Sequence, residues 1–311
     1  MPLNRSLRVA VAAVACALAV GSTTGPVEAA PKPDPLGALL SPTLFDPLVN
    51  LLAALPTPYK GPYQGPVCVS GDPQCIEDVI AEMERRLVPL AASCSHDAIF
   101  SLAYLRVTQN VKNAADNGYF ADRKWLTQID AAFAQMYFDT MDAWKAGKKS
   151  SVAKAWQIAL QATEDRKMSG LGDFMMNMNA HINNDFPYVL EKVGLTAADG
   201  TSHKADHNAY NQRLDSLYHP VFDEEAARFD PTFNKLDLGP VDEVLVGAIM
   251  RGWREVVWRH AEALANAPSF VRPLVEREIS EYAAGQAQFI KALFASPSPD
   301  KRAAYCATHH G

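Results

Sequence analysis

The residues best suited to chemistry sit in one stretch, Met176 to Phe186, which reads Met-Asn-Met-Asn-Ala-His-Ile-Asn-Asn-Asp-Phe. His181 and Asp185 are four apart, and on a helix that spacing brings an imidazole and a carboxylate over one point, within reach of a common ion or of each other. A second acid, Asp130, shares a helical stripe with Phe133, Ala134, Tyr137 and Met141. A third group follows in Ser202 to Pro220, where His203 and His207, and Asp215 and His219, are again four apart and Asp206 adjoins His207. Two chemistries fit these residue types. In one, His181, Asp185, Asp130, Asp206 and His207 supply ligands to a divalent metal, zinc, manganese or iron, that activates water against an ester or phosphoester. In the other, the same residues form a buried polar network in a non-catalytic binding or structural protein, whose groove holds a small molecule. Under either, Asn179, Asn183 and Tyr137 are the candidates for touching a substrate or ligand.

Placing these residues requires helices. From Asp72 onward apolar residues recur with the 3.6-residue period, and no segment alternates with period 2. Helices are expected from Asp72 to about Val88, ended or kinked by Pro89; from a Ser95 cap to about Asn117; and from an Asp122 cap to about Ala146. Others follow over roughly 151–167; over 170–193, kinked at Pro187; over 202–229, bent at Pro220; and over 240–266 and 268–294. At about 100° per residue, Asp185 falls inside the apolar arc of the 170–193 helix, between Phe174 and Met178. His181 falls at the border of that arc beside Tyr188, and Ala180 and Asn184 point outward. A carboxylate inside an apolar arc must be paired, hydrogen-bonded, metal-bound or protonated. His96 reads as part of a helix start, His260 as a surface residue, and His309 and His310 as a tail.

The result is an all-α fold, a single-domain bundle of about eight helices over residues 72–295. A signal peptide precedes it over 1–29, where Arg5 and Arg8 lead an apolar run that ends in small residues near Ala29. Nine prolines between 30 and 66 make 30–71 an arm or linker, with room for a short helix over 46–55. Residues 296–311 read as a C-terminal tail held by a disulfide. Removing the leader takes Arg5, Arg8 and Glu28 and moves the net charge from −6 to −7. An acidic chain without a basic run is a poor partner for nucleic acid, and no later segment is apolar for long enough to span a membrane, so the mature protein is expected to be secreted or held at the cell surface. Four cysteines remain, an even number suited to an oxidising compartment. Three pairings are open, of which Cys68 with Cys75 and Cys94 with Cys306 is favoured. No close Cys-x-x-Cys pair suggests a metal.

The strings Ile129-Asp-Ala-Ala-Phe-Ala-Gln-Met-Tyr137 and Asn177-Met-Asn-Ala-His-Ile-Asn-Asn-Asp-Phe186, in that order, resemble the signature of an uncharacterised, secreted, bacterial all-helical family, a domain of unknown function. The likeness covers about residues 75–295. Ile129, Asn177 and Phe186 depart from its pattern, whereas Asp130, Asn179, His181, Asn183 and Asp185 keep it. The resemblance implies that these five belong to one shared site and brings no activity with it. A fainter likeness links His-x-x-x-Asp to the zinc ligands of secreted all-helical phospholipase C enzymes, but this chain lacks their N-terminal Trp ligand and their His-x-x-x-Glu motif. Glu-x-x-His and Gly-x-Ser-x-Gly are both absent, which leaves di-iron bundle and serine hydrolase chemistry without support.

Overall fold

The computed structural model describes residues 52–233, 241–295 and 299–309. The expected leader, the arm up to residue 51 and His310 lie outside the described residues. The described chain is all-α, with two isolated bridges, Met168 to Ala295 and Thr196 to Ser202, as its only extended pairings. In chain order the helices are α1 (Gln74–Ala92), α2 (Asp97–Asp116), α3 (Arg123–Lys145), α4 (Lys154–Glu164), α5 (Gly170–Asn179), a π-helical turn (Ala180–Asp185), α6 (Phe186–Val193), α7 (Lys204–Arg228), α8 (Val241–Asn266), α9 (Arg272–Leu293) and α10 (Pro299–His309). Among the described residues no helix is long and apolar enough to cross a membrane.

Local chemistry accounts for most boundaries. Asp122 accepts a hydrogen bond from the Trp125 amide at 2.9 Å and caps α3, and Ser169 does the same for α5 through the Gly172 amide at 3.1 Å. Gly194, in the left-handed region at φ 111°, stops α6 where a side chain would be strained. Pro89 and Pro220 end neither of their helices. Past Pro89, α1 continues to Ala92, and α7 runs unbroken through Pro220 to Arg228.

The organising element is the continuous helix of α5, the π turn and α6. It is packed by α2, α3, α4, α8 and α9, so nearly every residue from Gly170 to Val193 is buried. The expected outward face does not exist: Ala180 and Asn184 are buried, and His181 lies deep inside rather than at a border. A one-faced helical wheel suits a helix at the surface, whereas this one is enclosed all round. The close fit explains its glycines, since a Cβ on Gly172 would come within 2.6 Å of the Phe294 Cβ.

Two disulfides are formed, Cys68–Cys75 and Cys94–Cys306, the favoured pairing. The C-terminal segment, expected as a tail, is the helix α10. Its Arg302 and Cys306, one turn apart, are both buried and face the body together. The arm, irregular from 52 to 73, is fastened to the domain by hydrogen bonds from the Leu55 amide to Glu262 (2.7 Å) and from Asn266 to the Pro56 carbonyl (3.1 Å).

Cys94 and Cys306 are 212 residues apart, so their bond restrains much of the unfolded chain. Replacing both by serine is expected to cost about 2–5 kcal/mol, measured as a lower calorimetric Tm. An unchanged Tm would mean that the Arg302 contacts alone dock α10.

Candidate functional site

The π turn, Ala180 to Asp185, falls within the Met176–Phe186 stretch and carries His181, Asn183, Asn184 and Asp185. Pro187 provides the local reason. It has no N–H to give to the carbonyl of residue 183 and its ring crowds that oxygen, so the register must widen before it. The expected kink is therefore a π turn placed ahead of the proline, a feature that often marks functional positions.

Asp185 is held by three donors: the Trp156 indole at 2.8 Å and His181 Nδ1 at 3.1 Å on Oδ2, and the Asn184 amide at 2.8 Å on Oδ1. Asn183 donates to the Asn179 side-chain oxygen at 2.9 Å, and Asn179 donates to the Ala283 carbonyl of α9 at 2.9 Å. Tyr137 shares a 2.8 Å hydrogen bond with Ser101 on α2. The asparagines thus tie the π turn to α9, and Asp185 ties it to α4.

His181 is 2 % exposed and boxed by aromatic rings. Phe133 stacks on it with centroids 3.6 Å apart and planes 3° from parallel, and Tyr104 meets it edge-on at 4.7 Å. Phe100, Tyr137 and Trp156 complete the box at 5.8–6.0 Å. Burial pulls the imidazole pKa below its ordinary value, against the opposing pull of Asp185, so the ring is neutral at pH 7. With Nδ1–H turned to Asp185, Nε2 carries the lone pair, and it has no partner among the described residues. Asp130 Oδ2, the Tyr104 hydroxyl and Asn183 Oδ1 are likewise buried without partners. Burial pushes the Asp130 carboxyl up to about 7.

The remaining expected ligands serve other purposes. Asp206 accepts from the amides of Ala121 (2.9 Å) and Asp122 (2.7 Å) and fixes the turn that enters α3. His207 donates from Nε2 to the Arg254 carbonyl at 3.0 Å, and burial beside Arg254 holds it neutral, far below its usual pKa. His203 stacks on Trp125 with centroids 4.6 Å apart. The structure therefore brings His181 and Asp185 into contact but commits Asp206 and His207 elsewhere. Among the described residues no group of three or more His, Cys, Asp or Glu is arranged to hold a metal ion. A surface groove of about 400 Å³ lies between α1 and α3, on a different face of α3 from Asp130 and Phe133.

Three features escape the sequence reading. Trp156, the partner of Asp185 that comes from another helix, carries no local signal. His96, expected at a helix start, makes no cap bond; it faces Asp173 Oδ2 at 3.2 Å and Arg302 Nη1 at 3.0 Å, in a buried cluster. His260, expected at the surface, is buried and meets Glu278 at 2.7 Å.

Two predictions follow from this geometry. Trp156→Phe removes one donor and leaves Asp185 short of a partner, which is expected to destabilise the fold by about 1–3 kcal/mol, seen in the urea midpoint. Asp130 binds its proton more tightly folded than unfolded, so between about pH 4 and 7 the unfolded chain releases that proton first and stability falls as pH rises. Asp130→Asn should remove this loss, so that its stability advantage over the wild type grows by up to a few kcal/mol across the window and levels off above it; a constant difference would mean that Asp130 is ionised throughout.

No curated protein and no solved structure matches the chain. The family model that does match spans residues 76–293, including α3, the π turn and every residue of the His181 centre, and by that match the chain belongs to a family of unknown function, DUF5995.

Proposed function

We propose that the chain is a secreted, non-catalytic binding or structural protein in which the His181–Asp185 centre is a polar network that fixes the central helix. The observation that carries this reading is the engagement of both Asp185 oxygens by three fixed donors, Trp156, His181 and Asn184. A carboxyl group so enclosed gains its stabilisation from fixed donors and has little left to offer a metal or a reacting water. The use of Asp206 by backbone amides and of His207 by a backbone carbonyl supports the same reading. Secretion is supported by the basic and apolar start of the sequence and is compatible with two disulfides.

One observation favours the alternative, a divalent-metal-dependent hydrolase of esters or phosphoesters. The lone pair of His181 Nε2 and the Asp130 oxygen are both unpartnered, and a first ligand could be drawn from each.

Metal content by mass spectrometry on untagged protein separates the two. A metal-free wild type that takes up no zinc, manganese or iron on titration, with His181→Ala and Asp185→Asn both lowering Tm, is the expected result. Stoichiometric metal, lost in both variants, would overturn the non-catalytic reading and direct the search to ester and phosphoester substrates.

A further inference from the structure

We propose that Arg254, on α8, is the anion-binding end of a site for an organic monocarboxylate with an apolar body, reached through its one unengaged Nη. Four basic side chains are buried among the described residues: Lys204, Arg251, Arg254 and Arg302. Lys204 faces Glu255 at 2.8 Å, Arg251 pairs with Asp215, and Arg302 pairs with Asp173. Arg254 pairs with no carboxylate among the described residues. Its Nε donates to the Asn211 side-chain oxygen at 2.6 Å and its Nη2 to the His207 carbonyl, both neutral acceptors on α7. Its Nη1 donates to nothing among the described residues, and it is not one of the sealed unpartnered atoms, so this donor is not wholly shut off from solvent although the residue is buried.

The surroundings supply no anion. The Phe186 and Tyr210 rings lie 5.9 and 6.0 Å from the guanidinium carbon, and Tyr210 and Tyr218 are the groups that act on it electrostatically. Burial raises the pKa of both phenols, which stay neutral. His207 is neutral as well. The missing charge must come from outside the described chain or remain uncompensated, and an uncompensated buried cation is costly.

The form of the site narrows the ligand. One positive charge and one free Nη suit a single carboxylate, whereas a phosphate dianion would bring a second charge with no further donor. Aromatic rings flank the head, which suits an apolar body behind the carboxylate. This inference deepens the binding side of the function proposed above and rests on that reading, but it uses none of the His181 contacts.

The test is calorimetric titration of the purified protein, stripped of bound lipid on a hydrophobic resin, with sodium octanoate and with octan-1-ol as its uncharged counterpart. Octanoate is expected to bind one to one, at least about tenfold more tightly than octanol. Arg254→Gln should weaken octanoate by at least about tenfold and leave octanol unchanged, and Arg254→Lys should restore part of the difference. No octanoate binding to the wild type, or equal binding of acid and alcohol, overturns the proposal. So does undiminished octanoate binding by a folded Arg254→Gln variant. If that variant does not fold, the contrast between acid and alcohol on the wild type decides. None of these outcomes touches the metal measurement, so failure of this site and failure of the non-catalytic reading are separately visible.

Discussion

Everything else in the molecule follows from enclosing the helix from Gly170 to Val193 on all sides. A helix with a wet face can turn its polar side chains to water, and this one cannot, so each polar group on it must find a partner in the protein or remain a cost. The partners succeed one another along its length. Asp173 takes Arg302 of α10 and Thr163 of α4, and Asn177 turns back to the Asp173 carbonyl. Asn179 reaches α9, Asn183 reaches Asn179, and Asp185 reaches α4. These bonds point in different directions around the axis, and so they fix the rotation of the helix as well as its depth. Apolar packing alone, which tolerates exchange of one large side chain for another, would specify that rotation less sharply.

The same constraint explains what the sequence discloses and what it hides. The 3.6-residue period is a property of each segment, and it locates α1 to α9 to within a few residues, including caps such as Asp122. The demand that Asp185 be paired is also legible, because Asp185 lies among Phe174, Met178 and Phe186 in any helical placement. The partners are not legible, since Trp156 comes from a segment 29 residues away whose only local signal is an ordinary buried face. Ala180 and Asn184 mislead for a related reason: alanine and asparagine on one face look like a solvent side, and only the arrival of α8 and α9 makes that face interior. The π turn is half visible, in Pro187, but which turn yields to the proline depends on packing that a single segment cannot show.

At its C-terminus the chain illustrates how a weak local signal becomes a firm element. Residues 299–309 have little apolar content, yet Arg302 and Cys306 fall one turn apart, so helical geometry alone can aim both at the body. The disulfide to Cys94 holds α10 in place, and the Arg302 guanidinium then meets Asp173 at the first turn of the central helix, where a carboxylate also complements the helix dipole. A covalent tie and a buried ion pair thus support one another.

Buried charge divides the protein into groups that can escape their cost and one that cannot. Asp130 and Glu225 both have buried, unpartnered oxygens, and burial raises both carboxyl pKa values, for Glu225 against the opposing pull of Arg302, Arg228 and Arg106, so each can shed its charge by keeping a proton. Arg254 has no such exit. Burial draws its pKa down only to about 10, so at neutral pH the guanidinium stays charged, beside two neutral phenols and a neutral imidazole. A fold that satisfies Asp173, Asp185 and Asp206 so thoroughly leaves this one cation without an anion, and in a chain of net charge −6 acidic residues are not scarce. The asymmetry therefore lies in placement rather than supply: the backbone carbonyl of His207 and the side-chain oxygen of Asn211 orient the guanidinium, and its remaining donor is unengaged among the described residues. Orientation without neutralisation is what a binding site requires of a charged group, because an internal counter-ion would have to be displaced before any ligand could take its place.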